Sequence, residues 1–222
     1  MLVINNVFDE ESLKALRALI TEAEFIDGKK TAGHRAKRVK KNEQLAREDK
    51  KAKEVKRRVL ERLRLHPEFK SAALPRRVQM PLISRYQPGM EYGRHSDDAL
   101  MGVAPKHRTD LSVTLFLSDP KEYKGGELIV SSSLGEQSVK LPAGSAFLYA
   151  SGNLHRVAPV EEGERLAAVT WVESYIRDHG QRELLYDLHK VCRRLSNDAA
   201  DWLETDLAFK TYSNLLRRWS EN

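Results

Sequence analysis

The 222 residues, 41% of them apolar, suffice for one moderately large domain or one domain with a small appendage. A mean hydropathy of −0.56 and the lack of any long apolar run exclude a membrane-spanning helix. The net charge of +6 is unevenly spread: residues 29–64 hold 16 Lys or Arg against 5 Asp or Glu, a balance of +11, and the rest is near −5.

Cys192 is the only cysteine, so no internal disulfide is possible. The opening MLVINNVFDE has no basic stretch followed by an apolar one. Together these lead us to expect a cytoplasmic protein in a reducing compartment.

In chain order, Asp9 is placed to cap a first helix, with Phe8 and Leu13 spaced as a hydrophobic staple. Leu13, Leu16, Ile20 and Ala23 recur at helical spacing behind it. Residues 27–41 (DGKKTAGHRAKRVKK) are polar and glycine-containing, and are expected to form a loop or hairpin that closes over a site. Asn42 is expected to cap a second helix whose apolar stripe is Leu45, Ala52, Val55, Val59 and Leu63, with the basic charge on its other faces. That charge reads as a solvated helix face, because no nucleic-acid motif accompanies it.

From residue 78 the texture changes to short β-rich runs: VQMPLISRY, LSVTLFLS, ELIVSS, QSVKL, SAFLYA, HRVAPV and LAAVTWVESYI. Turn clusters such as QPGM, YKGG, SLGE and PAGS separate them, a pattern of antiparallel sandwiches and barrels. The chain then returns to helix. Leu184, Leu188, Val191 and Leu195 make one stripe; Asn197 or Asp198 can cap a last helix carrying Trp202, Phe209, Tyr212, Leu216 and Trp219. The expected division is a helical and lid segment over residues 1–77, a β domain over 78–177 and a helical extension over 178–222.

The chemistry is expected in the β part. His95 and Asp97 follow a strand and turn, and residues i and i+2 of an extended segment share a face, so both can aim at one ion. His155 begins another strand 58 residues after Asp97. Two histidines and a carboxylate make the facial triad of non-haem Fe(II) oxygenases, which leaves positions open for a cosubstrate and O2. Arg165 stands ten residues beyond His155 and is expected on the neighbouring strand after a turn at EEGE. A guanidinium inside a barrel needs an anion, and the distal carboxylate of 2-oxoglutarate would satisfy it bidentately. Tyr86 and Thr170 are candidate further donors to that cosubstrate.

The stretches RYQPGMEYGRHSD, GGEL and LPAGSAFLYASGNLHRVAPVEEGERLAAVTW resemble the prolyl 4-hydroxylase-like branch of the Fe(II)/2-oxoglutarate dioxygenases, and within it the bacterial PKHD-type hydroxylases. TAGHRAKRVKKNEQL is similar to that group's N-terminal segment, and RDHGQRELLYDLHKV to its C-terminal extension. The resemblance implies an α+β chain with a double-stranded β-helix (jelly-roll) core, N-terminal helices and a C-terminal helical extension. It also implies iron at His95, Asp97 and His155, 2-oxoglutarate at Arg165 and L-ascorbate (vitamin C) as reductant. The expected reaction hydroxylates a peptide, protein or small metabolite, an anionic one if the basic lid contacts it. Two other readings stand beside it: a zinc-dependent hydrolase on the same ligands and a non-catalytic jelly-roll binding module.

Overall fold

The computed structural model of the chain describes residues 1–31, 36–102, 104–197 and 202–221. In chain order its elements are β1 (Leu2–Ile4), α1 (Glu10–Thr21), β2 (Phe25–Asp27), β3 (Lys40–Lys41), β4 (Glu43–Leu45), α2 (Lys50–Leu65), α3 (Pro67–Ala73), β5 (Pro75–Val78) and β6 (Leu82–Tyr86). There follow β7 (Glu91–His95), β8 (Leu100–Met101), β9 (His107–Arg108), β10 (Leu111–Phe116), β11 (Tyr123–Gly125), β12 (Leu128–Ser132) and β13 (Gly135–Val139). The last are β14 (Ala146–Ala150), β15 (His155–Val157), β16 (Val160–Gly163), β17 (Arg165–Ser174), α4 (His179–Asn197) and α5 (Trp202–Trp219).

Most strands build two facing antiparallel sheets, while β11 with β16 and β8 with β9 form two separate two-stranded pairs. The larger has the order β1-β14-β10-β17-β6-β4-β2, with β5 also on β17. The smaller has the order β13-β12-β15-β7-β3. Period-two alternation sorts each central strand between two environments. Leu111, Val113 and Leu115 of β10, and Leu166, Ala168 and Val172 of β17, enter the main core together with residues of α1, α2 and α3. Phe116, Phe147 and Tyr149 turn the other way and pack with Leu128 and Val130 of the smaller sheet. This arrangement is the jelly roll expected from the sequence, and the site lies between its sheets.

The N-terminal helices form for local reasons and are held by burial. The Asp9 carboxylate accepts from Ser12 N at 2.8 Å, and Glu10 and Glu11 in the first turn suit the helix dipole. Phe8 and Leu13 are both buried in the core, as a staple requires. In α2, Val55, Val59 and Leu63 are fully buried, each contributing about 1.5–3 kcal/mol. Its basic face is solvated and partly self-neutralised, with Arg57 and Arg58 both gripping Glu54.

Three expectations need correction. Asp49, not Asn42, caps α2, its carboxylate accepting from Ala52 N at 2.7 Å. Asn42 lies between β3 and β4, and Leu45 reaches the core from a strand rather than from the helix. Residues 1–77 are also not purely helical: β1 pairs with β14, β4 with β6, and β3 with β7, so this segment extends both sheets. Strands of two or three residues are too short to show a period. Finally, the buried side of α4 carries Arg182, Leu185 and Cys192, while Leu184 and Val191 are 60% and 50% exposed. Leu185 packs with Leu74 and Ile176 against Tyr212, Leu216 and Trp219 of α5. Asp198 lies outside the described residues, as does part of the 27–41 loop, residues 32–35. No helix of the described residues is long and apolar enough to cross a membrane.

Candidate metal centre

Strand pairing brings the two histidines together. β15 pairs antiparallel with β7, and His155 stands opposite His95 in register. Asp97 follows two residues on, its amide donating to Ser151 O at 3.3 Å. Asp97 Oδ1 is 4.0 Å from His95 Nε2, and Oδ2 is 3.7 Å from His155 Nε2. One atom from each of the three residues falls within a 4.8 Å span, which suits a single shared ion.

The surroundings prepare each group as a ligand. His95 Nδ1 is 2.8 Å from Gly93 O and His155 Nδ1 is 2.9 Å from Asn153 O. A carbonyl only accepts, so Nδ1 carries the proton and Nε2 presents its lone pair. Burial, reinforced by the neighbouring His155, pushes the His95 pKa well down, which keeps the ring neutral. Tyr92 stacks on His95 with centroids 3.7 Å apart, and Tyr149 meets the edge of His155 at 5.2 Å. Ser112 Oγ donates to Asp97 Oδ2 at 2.6 Å and is itself 2.8 Å from Ser151 Oγ. Asp98 is not part of the cluster: it is exposed where it lines the cavity, and its carbonyl accepts from Thr109 Oγ1.

Arg165 begins β17 in the larger sheet, opposite Tyr86 of β6. It is therefore not on a strand adjacent to His155, as the spacing suggested; β16 carries the chain from one sheet to the other. The side chain nevertheless enters the same cavity and is only 1% exposed. The rings of Tyr86 and Phe116 lie 5.1 and 5.5 Å from its guanidinium carbon, and among the described residues its Nε has no hydrogen-bond partner. Among the described residues no carboxylate lies within ion-pair distance of it. A guanidinium so placed is costly unless an anion joins it.

Gly126 of the GGEL motif makes room for this arrangement. Its φ is +66°, and an added Cβ would lie 2.9 Å from Val160 Cγ2 and 3.1 Å from Arg165 Cδ. Gly126→Ala is therefore expected to cost about 1–3 kcal/mol in denaturant unfolding, through backbone strain and crowding of the arginine stem.

Tyr86 lines the cavity, but Thr170 does not. Thr170 lies five residues from Arg165, an odd separation that turns it to the other face of β17, where its hydroxyl donates to Gln79 O at 2.7 Å. Thr114 and Tyr149, which sequence reasoning missed, reach the cavity from neighbouring strands. The whole cavity is about 580 Å³, a size that suits small ligands. Lys40 also lines it, and burial brings its pKa down to about 8.

Comparison with known proteins agrees with this geometry. Residues 81–173 match the 2OG-Fe(II) oxygenase superfamily, and residues 179–221 match the PKHD-type hydroxylase C-terminal domain. A PKHD-type hydroxylase of Synechococcus elongatus is 50% identical over 222 residues, covering 100% of both chains. Among solved structures, a Pseudomonas putida prolyl-4-hydroxylase superposes with a TM-score of 0.54 at 20% identity, covering 78% of this chain and 91% of that one. The collagen prolyl hydroxylase vCPH of Paramecium Bursaria Chlorella virus-1, solved as a 2OG complex, gives 0.54 at 20% identity, with 78% and 95% coverage. At such identities the structural matches speak for the jelly-roll fold alone.

Proposed function

Because the chain belongs to the PKHD-type hydroxylases of the 2OG-Fe(II) oxygenase superfamily, and so is an Fe(II)- and 2-oxoglutarate-dependent dioxygenase, we propose that it hydroxylates a peptide or small molecule at the His95, Asp97 and His155 centre. Bound iron and 2-oxoglutarate would supply the oxidation, consuming O2 and leaving succinate and CO2. The protein's part is to hold, orient and shelter. His95 and His155 offer Nε2, and the backbone carbonyls of Gly93 and Asn153 set their tautomers. Asp97 offers its carboxylate, steered by Ser112. The Arg165 guanidinium takes the distal carboxylate of 2-oxoglutarate, with the Tyr86 hydroxyl beside it as a further donor.

The observation that carries this reading is the fully buried Arg165 sharing one cavity with the three-residue cluster. A zinc hydrolase would accept the same two histidines and carboxylate but has no use for that guanidinium. L-ascorbate belongs to the proposal as the reductant that keeps iron ferrous, and the single, buried Cys192 suits a cytoplasmic setting. The test is reconstitution of metal-free protein. Fe(II) with 2-oxoglutarate and O2 should yield succinate and Zn(II) should not; succinate-free turnover with zinc would defeat the reading.

Ser112→Ala supplies a finer check. Losing the hydroxyl that steers Asp97 should weaken Fe(II) binding about tenfold to a hundredfold while leaving the fold intact. Anaerobic Fe(II) titration against wild type measures the difference.

A further inference from the structure

Arg165 Nε has a companion among the buried polar atoms. The hydroxyl of Tyr123, a residue 4% exposed, also lacks a hydrogen-bond partner among the described residues. Gly126 lies between the two side chains: a Cβ there would be 3.1 Å from Arg165 Cδ and 3.2 Å from Tyr123 Cδ2. The arginine stem and the tyrosine ring are therefore near neighbours.

Close backbone approach brings them together. Tyr123 stands opposite Gly163 in the β11–β16 pair, and β16 turns directly into Arg165 at the start of β17. Gly163 has a φ of +76°, and a Cβ on it would lie 2.9 Å from Tyr123 Cα, so a glycine lets β11 close on that turn. Lys140 then fixes the ring. Its Nζ donates to Tyr123 O at 2.9 Å and to Gly125 O at 3.2 Å, and lies 4.0 Å from the ring centroid. Ser118 fixes the chain on both sides of Arg165, its hydroxyl donating to Glu164 O at 3.0 Å and accepting from Leu166 N at 2.8 Å.

The two buried atoms are complementary. A guanidinium Nε only donates, whereas a phenol oxygen can accept. Burial raises the Tyr123 pKa by more than the Arg165 guanidinium lowers it, so the group is a neutral hydroxyl and not a phenolate. That difference matters beside an anion-binding arginine. A carboxylate in this place would neutralise the guanidinium and compete with a ligand anion. A neutral hydroxyl can take Nε and leave both the charge and the two terminal nitrogens to the ligand.

We propose that Tyr123 is a positioning residue for the cosubstrate: its hydroxyl accepts from Arg165 Nε when 2-oxoglutarate engages the guanidinium, and so aims the planar fork at the distal carboxylate. This assignment rests on the proposed function and deepens its account of Arg165. The test is titration of 2-oxoglutarate into anaerobic Fe(II)-loaded protein, followed by the metal-to-ligand absorption band. Tyr123→Phe keeps the ring under Lys140. It should bind Fe(II) as wild type does but 2-oxoglutarate about tenfold more weakly, the low end for a hydrogen bond to a charged group. In an Arg165→Lys background, which lacks the guanidinium Nε, the same substitution should have almost no further effect. A role confined to packing would carry over into both backgrounds. Without cosubstrate, Tyr123→Phe should melt no lower than wild type, because it removes a hydroxyl that has no partner there. An unchanged affinity in Tyr123→Phe, or an equal loss in both backgrounds, overturns the proposal. So does a lowered melting temperature without cosubstrate, which would mark a hydroxyl already bonded for the fold. A wild-type protein that forms no band with 2-oxoglutarate overturns the underlying function instead.

Discussion

Asp97→Ala is expected to abolish Fe(II) binding, while Asp98→Ala binds Fe(II) as wild type does. The Asp97 carboxylate lies 4.0 and 3.7 Å from the two Nε2 atoms, a position from which one ion can bridge all three groups. Without it, two neutral imidazoles face a dication with no protein charge to balance it. The loss should exceed the roughly tenfold to hundredfold cost of removing an outer partner of a ligand. The backbone bond from Asp97 N to Ser151 O survives the substitution, so the loss is one of ligation rather than folding. Asp98 is exposed and engages the structure through its carbonyl, which alanine keeps. Anaerobic Fe(II) titration of both variants makes the comparison. Retained binding by Asp97→Ala with loss in Asp98→Ala would mean that the ligand register is off by one residue.

The second large effect is expected at Arg165. Arg165→Ala should still bind Fe(II), because the three candidate ligands are untouched, yet its affinity for 2-oxoglutarate should fall about tenfold to a hundredfold. That range corresponds to the roughly 1.5–3 kcal/mol of a charge-assisted hydrogen bond. Arg165→Lys should fall between the two, since lysine keeps the charge but loses the planar fork. The guanidinium is buried against Tyr86 and Phe116, and no described carboxylate ion-pairs with it, so no described carboxylate takes the place offered to the cosubstrate. Titration of 2-oxoglutarate into Fe(II)-loaded protein without oxygen, followed by the metal-to-ligand absorption band, reads the affinity. Unchanged affinity in Arg165→Ala would remove the main argument for an oxygenase site over a zinc hydrolase site.

The candidate site was largely legible because it is built from β-strands, where spacing translates directly into facing. Two residues separate His95 from Asp97, and that alone aligns them. The same parity argues against Thr170, whose odd separation of five residues from Arg165 already turns it to the opposite face of an extended strand. It also points to Ser112 and Thr114, polar residues alternating with Leu111, Val113 and Leu115 on one strand. Ser112 steers Asp97 and Thr114 lines the cavity, so a polar residue on the inner face of an apolar strand was the available signal.

What stayed hidden depends on partners far away in sequence. Lys40 stands in a two-residue strand whose placement is decided by β7, some fifty residues later, and a basic run gives no hint that one lysine turns inward. The helix α2 was legible from its apolar period, but Asp49 and Asn42 are both plausible caps by residue type. Asp49 caps the helix because Asn42 borders the short strand β4, which pairs with β6. In α4 two apolar stripes compete, and only packing on Ile176 and α5 decides that Leu185, not Leu184, is buried.

The central claim is that one iron sits between His95, Asp97 and His155 with 2-oxoglutarate reaching Arg165. Anomalous diffraction at the iron edge, from crystals grown anaerobically with Fe(II) and 2-oxoglutarate, tests it most directly. The expected result is a single iron peak within bonding distance of His95 Nε2, an Asp97 carboxylate oxygen and His155 Nε2, with cosubstrate density running from the metal to the Arg165 guanidinium. A peak at other residues, or an iron-bound 2-oxoglutarate whose far carboxylate turns away from Arg165, would contradict it.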